Sequence, residues 1–573
     1  MVAILRRSPM PEVSGSRSLL RVAFLVALVM NLVNLWEPLT VDDVCHHYYA
    51  EQVSKAPLQP FEFDLVWHQK PIPAWDVMVA PVNSYYWAPG ILLFGDSTVG
   101  WKLWYLPVQV LFCYSLLVLL RRVAPRHANW LLAMVALGPS VLPGVNLMLE
   151  VPMLSLAFSS LVVLMKACDR RSLGLALGAG VLWGLAFQTK YSAMGFFGPW
   201  LLVGVLRGRW REFLVGALVA AATALSIEGL VAWSHGGGSY FMRQLERTQD
   251  RDWWHNVRGM FTHVGMLGAP AAFLALRGLR APGWMCGAIA TVFVFAHLLV
   301  ALVPDADSRS LADGAVDSVA YLVMSLCTWA VIATVVVRFL VSAAPRLRAH
   351  QWHPSVLWRV GLACWIPGEV AASFVVSPFP AARRSMLVVL AFTAAAGWLA
   401  ARTRGIGNCV RGTAIVSVAL GLLYQGIDCL EGRAFTKAAT DAVALVHARE
   451  PGATIYFSGG WGFEFYAPRA GMKPFLLDAV AAKAGDYVVL GSIDGGEKPW
   501  FDMEHASFTS RVEFVGTVEI GDPVPLSLQF NYYSGRRPLD GQVGPRFVAW
   551  IYRVHTPFHV RELKHLAEPW RPG

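Results

Sequence analysis

A few residues stand where an apolar sequence has little use for them. Asp42 and Asp43 directly follow an apolar stretch in Thr40-Val-Asp-Asp-Val-Cys-His-His-Tyr-Tyr-Ala, and Glu150 opens another in Leu149-Glu-Val-Pro-Met. A carboxylate at such a boundary is costly unless it is paired or functional. A free one could take the proton of an attacking hydroxyl or amine. The complementary cations are Lys190 in Gln188-Thr-Lys-Tyr, Arg383 and Arg384 in Ser377-Pro-Phe-Pro-Ala-Ala-Arg-Arg-Ser, and Lys70. Singly, each could snorkel to lipid headgroups. Together they could hold a phosphate through charge-assisted hydrogen bonds. His46 and His47 lie three to five positions after the aspartates, so on a helix one of them shares the aspartate face. Asp43 with His47 could bind a divalent metal ion, or the imidazole could simply orient a carboxylate. Asp42 also suits the N-cap of the helix that follows. Glu228 and Glu369 fall inside apolar runs, as polar pairs within a bundle or as pathway residues.

The elements that must position these groups follow from the composition. Of 573 residues, 55% are hydrophobic and 15% charged, and the mean hydropathy is +0.47. A soluble chain this apolar would have no interior to take the excess. Apolar runs of about 17–25 residues recur instead, the length that crosses a bilayer as a helix. The fold class is therefore a polytopic α-helical membrane protein of about 13 transmembrane helices. The spans are expected near 19–36, 102–120, 128–146, 149–165, 172–189, 192–206, 213–233, 257–276, 284–303, 318–340, 355–376, 385–401 and 410–426. The first reads as an uncleaved signal anchor, since Arg6, Arg7, Arg17 and Arg21 precede it and it ends on Trp36-Glu37-Pro38 rather than small residues.

With a cytoplasmic N-terminus, alternate loops hold Arg121/Arg122/Arg126, Lys166/Arg170/Arg171, Arg207/Arg209/Arg211, Arg277/Arg280, Arg338/Arg346/Arg348 and Arg402/Arg404/Arg411. That is the positive-inside pattern, and it accounts for the +10 net charge without a nucleic-acid partner. The outer face then carries a long aromatic loop (37–101), a second large loop (234–256), an acidic loop (304–317) and the tail. The long loop suits short helices at the membrane interface. Residues 1–429 form the membrane domain and 430–573 a small soluble α/β domain, with an amphipathic helix at 434–448 and strand-like runs at 453–458, 486–490, 511–520 and 547–555. The eight cysteines show no framework spacing and read as small core residues.

An acidic pair after the first span, then Tyr48/Tyr49 and a long outer loop, resembles the GT-C membrane glycosyltransferases. It resembles above all the family 39 group of protein O-mannosyltransferases and lipid A aminoarabinose transferases. The acid-x-Pro at Glu150-Val-Pro152, Thr189-Lys-Tyr191, the Arg383-Arg384 turn and Tyr456-Phe-Ser-Gly-Gly-Trp-Gly-Phe-Glu-Phe-Tyr466 agree in order. Two features depart: Asp-Asp stands where Asp-Glu is usual, and Asn83-Ser-Tyr-Tyr-Trp-Ala-Pro89 where His-Pro-Pro is frequent. The resemblance implies transfer of a sugar from a polyprenyl-phosphate-linked donor to a lipid, glycan or protein acceptor on the periplasmic or extracellular face of the plasma membrane. It implies Asp42, Asp43 and Glu150 as catalytic, with Asp42 favoured as base. Lys190, Arg383, Arg384 and Lys70 would bind the donor phosphate. His46, His47, Tyr48 and Tyr49 would line the sugar and acceptor. A divalent metal at Asp43 and His47 remains open. A secondary transporter using Glu228 and Glu369 is the rival reading, and a non-catalytic lipid-carrier-binding protein is a third.

The topology is directly checkable. A reporter active only outside the cytoplasm, fused after Gly573, is expected to be active, whereas activity of a cytoplasm-only reporter there would overturn the orientation.

Overall fold

The computed structural model describes residues 16–564 apart from 68–69, 78–79, 235–237, 248–252, 303–312, 350–353, 377–380, 461, 477–479, 493–500, 522–523, 525, 529–537 and 542–543. The acidic loop expected at 304–317 and the Ser377–Pro380 stretch thus lie mostly or wholly outside the described residues. Helix occupies each of the expected segments, with unequal continuity. Among the described residues seven helices are long and apolar enough to cross a membrane: Arg17–Asn34, Thr98–Val123, Glu150–Arg170, Trp210–Ser234, Tyr321–Arg348, Ala382–Ala400 and Gly407–Arg449. Trp253–Leu267 and Ala269–Gly278 make an eighth if their 61° bend lies within one span. Leu173–Phe187, Tyr191–Val205 and Gly283–Leu298 are shorter apolar helices.

The interruptions follow the helix breakers. The 128–146 segment is helical only over Ala128–Ala136 and closes through a 3-10 turn at Leu142–Val145, where Pro139, Pro143 and Gly144 interrupt the ladder. Non-helical backbone at membrane depth is tolerated when protein covers it, and Leu142, Pro143, Gly144 and Val145 are all buried. The 257–276 segment bends at Gly268, with Pro270 at the start of its second half.

The bundle is layered around two spans. The most apolar window of Ala382–Ala400 is 94% buried and that of Glu150–Arg170 is 78% buried, whereas that of Trp210–Ser234 is only 17% buried. The last turns leucines such as Leu218 and Leu225 outward, as a lipid-facing helix must. The first long loop folds into the helices Asp42–Lys55, Val82–Phe94 and Thr98–Trp104 and a hairpin pairing Asp64–Trp67 with Lys70–Pro73. Trp87, Trp101 and Tyr105 are buried beneath it.

The last helix departs from expectation. A span at 410–426 and a separate helix at 434–448 are one continuous helix, Gly407–Arg449. Gly432 lets this helix pass close to the residues ahead of Asp42, because a Cβ there would stand 2.9 Å from Thr40 Cγ2. Beyond it lies a mixed sheet ordered Lys473–Pro474, Ile455–Ser458, Tyr487–Ser492, Phe547–Val554, Val512–Ile520. The first three strands run parallel and the rest antiparallel, close to the runs read from the sequence.

A clamp returns this sheet to the bundle. Arg546 Nη1 donates to Glu431 Oε1 at 2.5 Å, and the Leu528 amide donates to both Glu431 oxygens at 3.0 and 3.1 Å. Leu526, Leu528 and Leu539 join the membrane-domain core, and Tyr321 Oη donates to the Leu539 carbonyl. Removing one partner of a buried pair strands the other charge, at a cost of about 3–5 kcal/mol. Glu431→Ala is therefore expected to release Leu526–Leu528 and Leu539 from the bundle and make the chain more sensitive to limited proteolysis, while Glu431→Ala with Arg546→Met stays more resistant; equal resistance of Glu431→Ala and the parent chain would show the clamp to be dispensable.

Candidate functional site

The site forms where helical segments begin. Asp42 is the first residue of Asp42–Lys55 and Glu150 the first of Glu150–Arg170; Lys190 immediately precedes a 3-10 turn at Tyr191–Phe196, and Arg383 lies in another at Ala382–Ser385. Carboxylates are stabilised at helix N-termini, where backbone amides lack partners. Val41, just before Asp42, has φ 49° and ψ −124°, a conformation costly for a β-branched residue and one that turns the chain sharply into the helix.

Side chains from these four starts meet. Arg383 Nη1 lies 2.6 Å from Asp42 Oδ2, and Arg383 Nε lies 4.0 Å from Glu150 Oε1. Lys190 Nζ donates to the same Glu150 oxygen. Arg383 and Glu150 are buried, while the Asp42 side chain is 26% and the Lys190 side chain 22% exposed, so the cluster opens on the side of Asp42 and Lys190. Burial alone would raise the Asp42 carboxyl, but Arg383, His46 and Arg384 outweigh it and hold it below the ordinary value. Burial lowers Lys190 to about 8 despite Glu150, and lowers His46 to about 4, so that imidazole is neutral.

Asp43 turns the other way. It is fully buried, and its Oδ2 accepts from the Thr40 amide at 3.3 Å and from Asn146 Nδ2. Asp42 makes no N-cap bond, contrary to the capping expectation; Asp43 is the residue that reaches back to the preceding backbone. Beneath Asp43 lies a polar floor that sequence reading missed. Lys102 Nζ donates to the Asn34 carbonyl at 2.8 Å and to the Glu37 carbonyl, and Gln425 Nε2 donates to Glu37 Oε2 at 2.6 Å. Asp428, from the long last helix, is buried within range of both Glu37 and Asp43. Burial pushes Asp43 well above the usual carboxylate range, against the pull of Lys102 and the Thr40 amide, with Asp428 and Asp42 raising it further. The available signal was a lysine and an aspartate at the edges of apolar runs; their partnership spans more than three hundred residues and has no local pattern.

The remaining expectations divide. His47 packs among Trp101, Trp87, Tyr48 and Phe465, its ring centroid 4.6 Å from that of Trp101. Tyr49 is buried and donates to the Ala74 carbonyl at 2.6 Å, a core role in place of the sugar-binding one. Tyr48 is half-buried beside both aromatic clusters. Among the described residues no group of three or more His, Cys, Asp and Glu side chains could hold a metal ion, so Asp43 and His47 gain no third such ligand. The side chain of Lys70 lies outside the described residues. Glu228 accepts from Gln188 Nε2 (2.9 Å), Tyr191 Oη (2.6 Å), Ser239 Oγ (3.3 Å) and the Phe241 amide (3.2 Å), tying the start of the Tyr240–Arg247 helix to the Lys190 turn. Glu369 accepts from Trp365 Nε1 at 2.7 Å and packs on Gly195, where a Cβ would stand 2.5 Å from its Oε2.

No protein-family model and no curated protein matches the chain. Two solved structures are similar, both crystal structures of ArnT from Cupriavidus metallidurans. The apo form has 16% identity and a TM-score of 0.40, over 82% of this chain and 92% of that one. The form bound to undecaprenyl phosphate has 15% identity and a TM-score of 0.40, over 92% and 97%.

The opposed settings of the aspartates separate their substitutions. Burial favours the neutral form of the Asp43 carboxyl, which asparagine mimics, so Asp43→Asn is expected to shift stability by no more than about 1 kcal/mol, while Asp43→Ala removes the acceptor of the Thr40 amide and one acceptor of Asn146 and costs about 1–3 kcal/mol. Thermal unfolding of the detergent-solubilised chain measures both; Asp43→Asn as damaging as Asp43→Ala would mean that Asp43 carries its charge.

Proposed function

We propose that this chain is an integral-membrane glycosyltransferase. It moves a sugar from a polyprenyl-phosphate-linked donor to a lipid, glycan or protein acceptor on the outer face of the plasma membrane, by single displacement with inversion. The observation that carries the reading is the pairing of a partly exposed Asp42 carboxylate with Arg383 at 2.6 Å, inside a cluster that also holds Glu150, Lys190 and Arg384. The motif resemblance to family 39 supports the same chemistry.

The steps follow from the charges. In the free protein Asp42 is ionised but occupied by Arg383, hence a weak base. The donor phosphodiester offers the arginine two anionic oxygens for a bidentate contact, and the guanidinium binds it with Lys190 and Arg384. The second negative charge that develops on the phosphate as the C1–O bond breaks strengthens that hold. Asp42, released from its cation, gains basicity and takes the proton as the acceptor oxygen or nitrogen bonds to the sugar C1. The C1–O bond to phosphate breaks on the opposite side, and polyprenyl phosphate departs with the bonding electrons onto the cations. Glu150 keeps Lys190 and Arg383 in register for this, and Asp43, through the Thr40 amide and Asn146, fixes the helix on which Asp42 rides. The boundary near residue 430 then separates catalysis from an outer domain that braces the loop. The transporter reading loses its support at Glu228, whose four hydrogen bonds leave it a structural anchor.

With a radiolabelled polyprenyl-phosphate sugar, Asp42→Asn is expected to lower kcat by about 10²–10⁴-fold while donor binding persists. The pH profile carries a sign. Lys190 loses its proton as pH rises through about 8, so kcat/KM for the donor falls above that pH, and Lys190→Arg carries the plateau higher. Wild-type turnover by Asp42→Asn would remove the base assignment, and failure of the unaltered chain to release sugar-free carrier from any such donor would remove the reading itself.

A further inference from the structure

At the end of the bundle away from Asp42, Arg122 and Arg207 come together with too few acceptors, and Arg121 lies beside Arg122 in sequence. Glu150–Arg170 runs from the site to this end, where Asp169 Oδ1 accepts from Arg207 Nη1. Arg121 Nη2 donates to Asn129 Oδ1 at 3.3 Å. Arg122 Nη1, Arg207 Nη2 and Arg121 Nε are nevertheless buried donors with no hydrogen-bond partner among the described residues. Arg122 and Arg207 are close enough to repel one another, with Asp169 as the nearby carboxylate, while Glu212 and Arg209 add one charge of each sign around Cys168. Buried N–H groups of a guanidinium are expensive to leave unpaired, so this arrangement calls for an anion.

An apolar slit of about 50 Å³ lies on the same helix faces, with Leu119, Val123, Leu202, Val203, Trp358 and Leu362 among its walls. Arg122 follows Leu119 by three residues and Arg207 follows Val203 by four, so each arginine sits one turn beyond a slit residue on its own helix. A void so lined stays free of water. Its walls belong to apolar helices of the membrane domain, one of them the candidate span Thr98–Val123, where the material at hand is hydrocarbon. We propose that this is a binding site for an anionic phospholipid of the leaflet opposite Asp42. The phosphodiester accepts the unpaired guanidinium N–H groups of Arg122 and Arg207, and the slit takes a few methylene groups of one acyl chain, the rest of which stays in the bilayer. Basic pockets between helices at this level hold anionic headgroups elsewhere by the same physics. The site is separate from the donor site and does not depend on the chemistry proposed there.

The test is native mass spectrometry of the full chain after reconstitution in phosphatidylcholine nanodiscs containing phosphatidylglycerol. The unaltered protein is expected to keep phosphatidylglycerol through a delipidation that strips phosphatidylcholine. Arg122→Gln with Arg207→Gln is expected to lower that retention about tenfold or more, and Asp169→Asn, which releases a guanidinium, to raise it. Equal loss of both lipids by the unaltered protein overturns the proposal, as does full retention by the double variant. If the double variant does not fold, Asp169→Asn decides alone: retention unchanged or lowered overturns the site, and retention raised supports it.

Discussion

Everything at the candidate site depends on one arrangement: helical segments begin at a common level and place opposite charges against one another there. Asp42 and Glu150 are the first residues of their helices, and Lys190 and Arg383 sit at the starts of two further turns. Each start contributes backbone amides that favour negative charge, so the carboxylates are stabilised before any cation is counted. The cations then exceed the carboxylates by one, since Lys190, Arg383 and Arg384 face Asp42 and Glu150. Such a site is stable empty, through its internal ion pairs, yet prefers an added anion. It also stands on rigid supports, because two of the starts belong to the most buried spans of the bundle.

The two adjacent aspartates show how burial assigns different work to identical side chains. Asp42 faces the opening and keeps its charge because Arg383 is at hand. Asp43 faces inward onto Asn146 and the Lys102 floor, where burial, with Asp428 beside it, pushes its carboxyl well above the ordinary range against the pull of Lys102. That floor also joins distant parts of the chain. Gln425 and Asp428 come from the last helix, which continues to the C-terminal sheet, and the Leu39 amide donates to the hydroxyl of Tyr466 in the C-terminal domain at 2.8 Å. The strained Val41 turn is thus held from both sides, by the first long loop and by the residues that follow the last helix.

Much of this was legible in the sequence, for definite reasons. Span positions, the long aromatic loop and the strands of the tail follow from hydropathy and periodicity, which are local. Asp42, Glu150, Lys190, Arg383 and Arg384 stood out because charge at a membrane boundary is costly, and the structure does bring them together. What stayed hidden was direction and distance. Nothing local distinguishes Asp42 from Asp43, since their facing is set by Val41 and by Asn146 a hundred residues on. Tyr49 and His47 looked available for a ligand because a sequence cannot show that Ala74 and Trp101 already engage them. The continuity of Gly407–Arg449 was missed because its hydropathy drops midway while its helical backbone does not.

The account stands most directly on the exchange of Arg383 from Asp42 to a donor phosphate. A cryo-electron microscopy structure of the chain with bound polyprenyl phosphate measures it. The account predicts phosphate oxygens within hydrogen-bonding distance of Lys190 and Arg383, with the 2.6 Å Arg383–Asp42 contact opened and the Asp42 carboxylate free to face an acceptor. A phosphate bound elsewhere, with the Asp42–Arg383 pair intact, would contradict it.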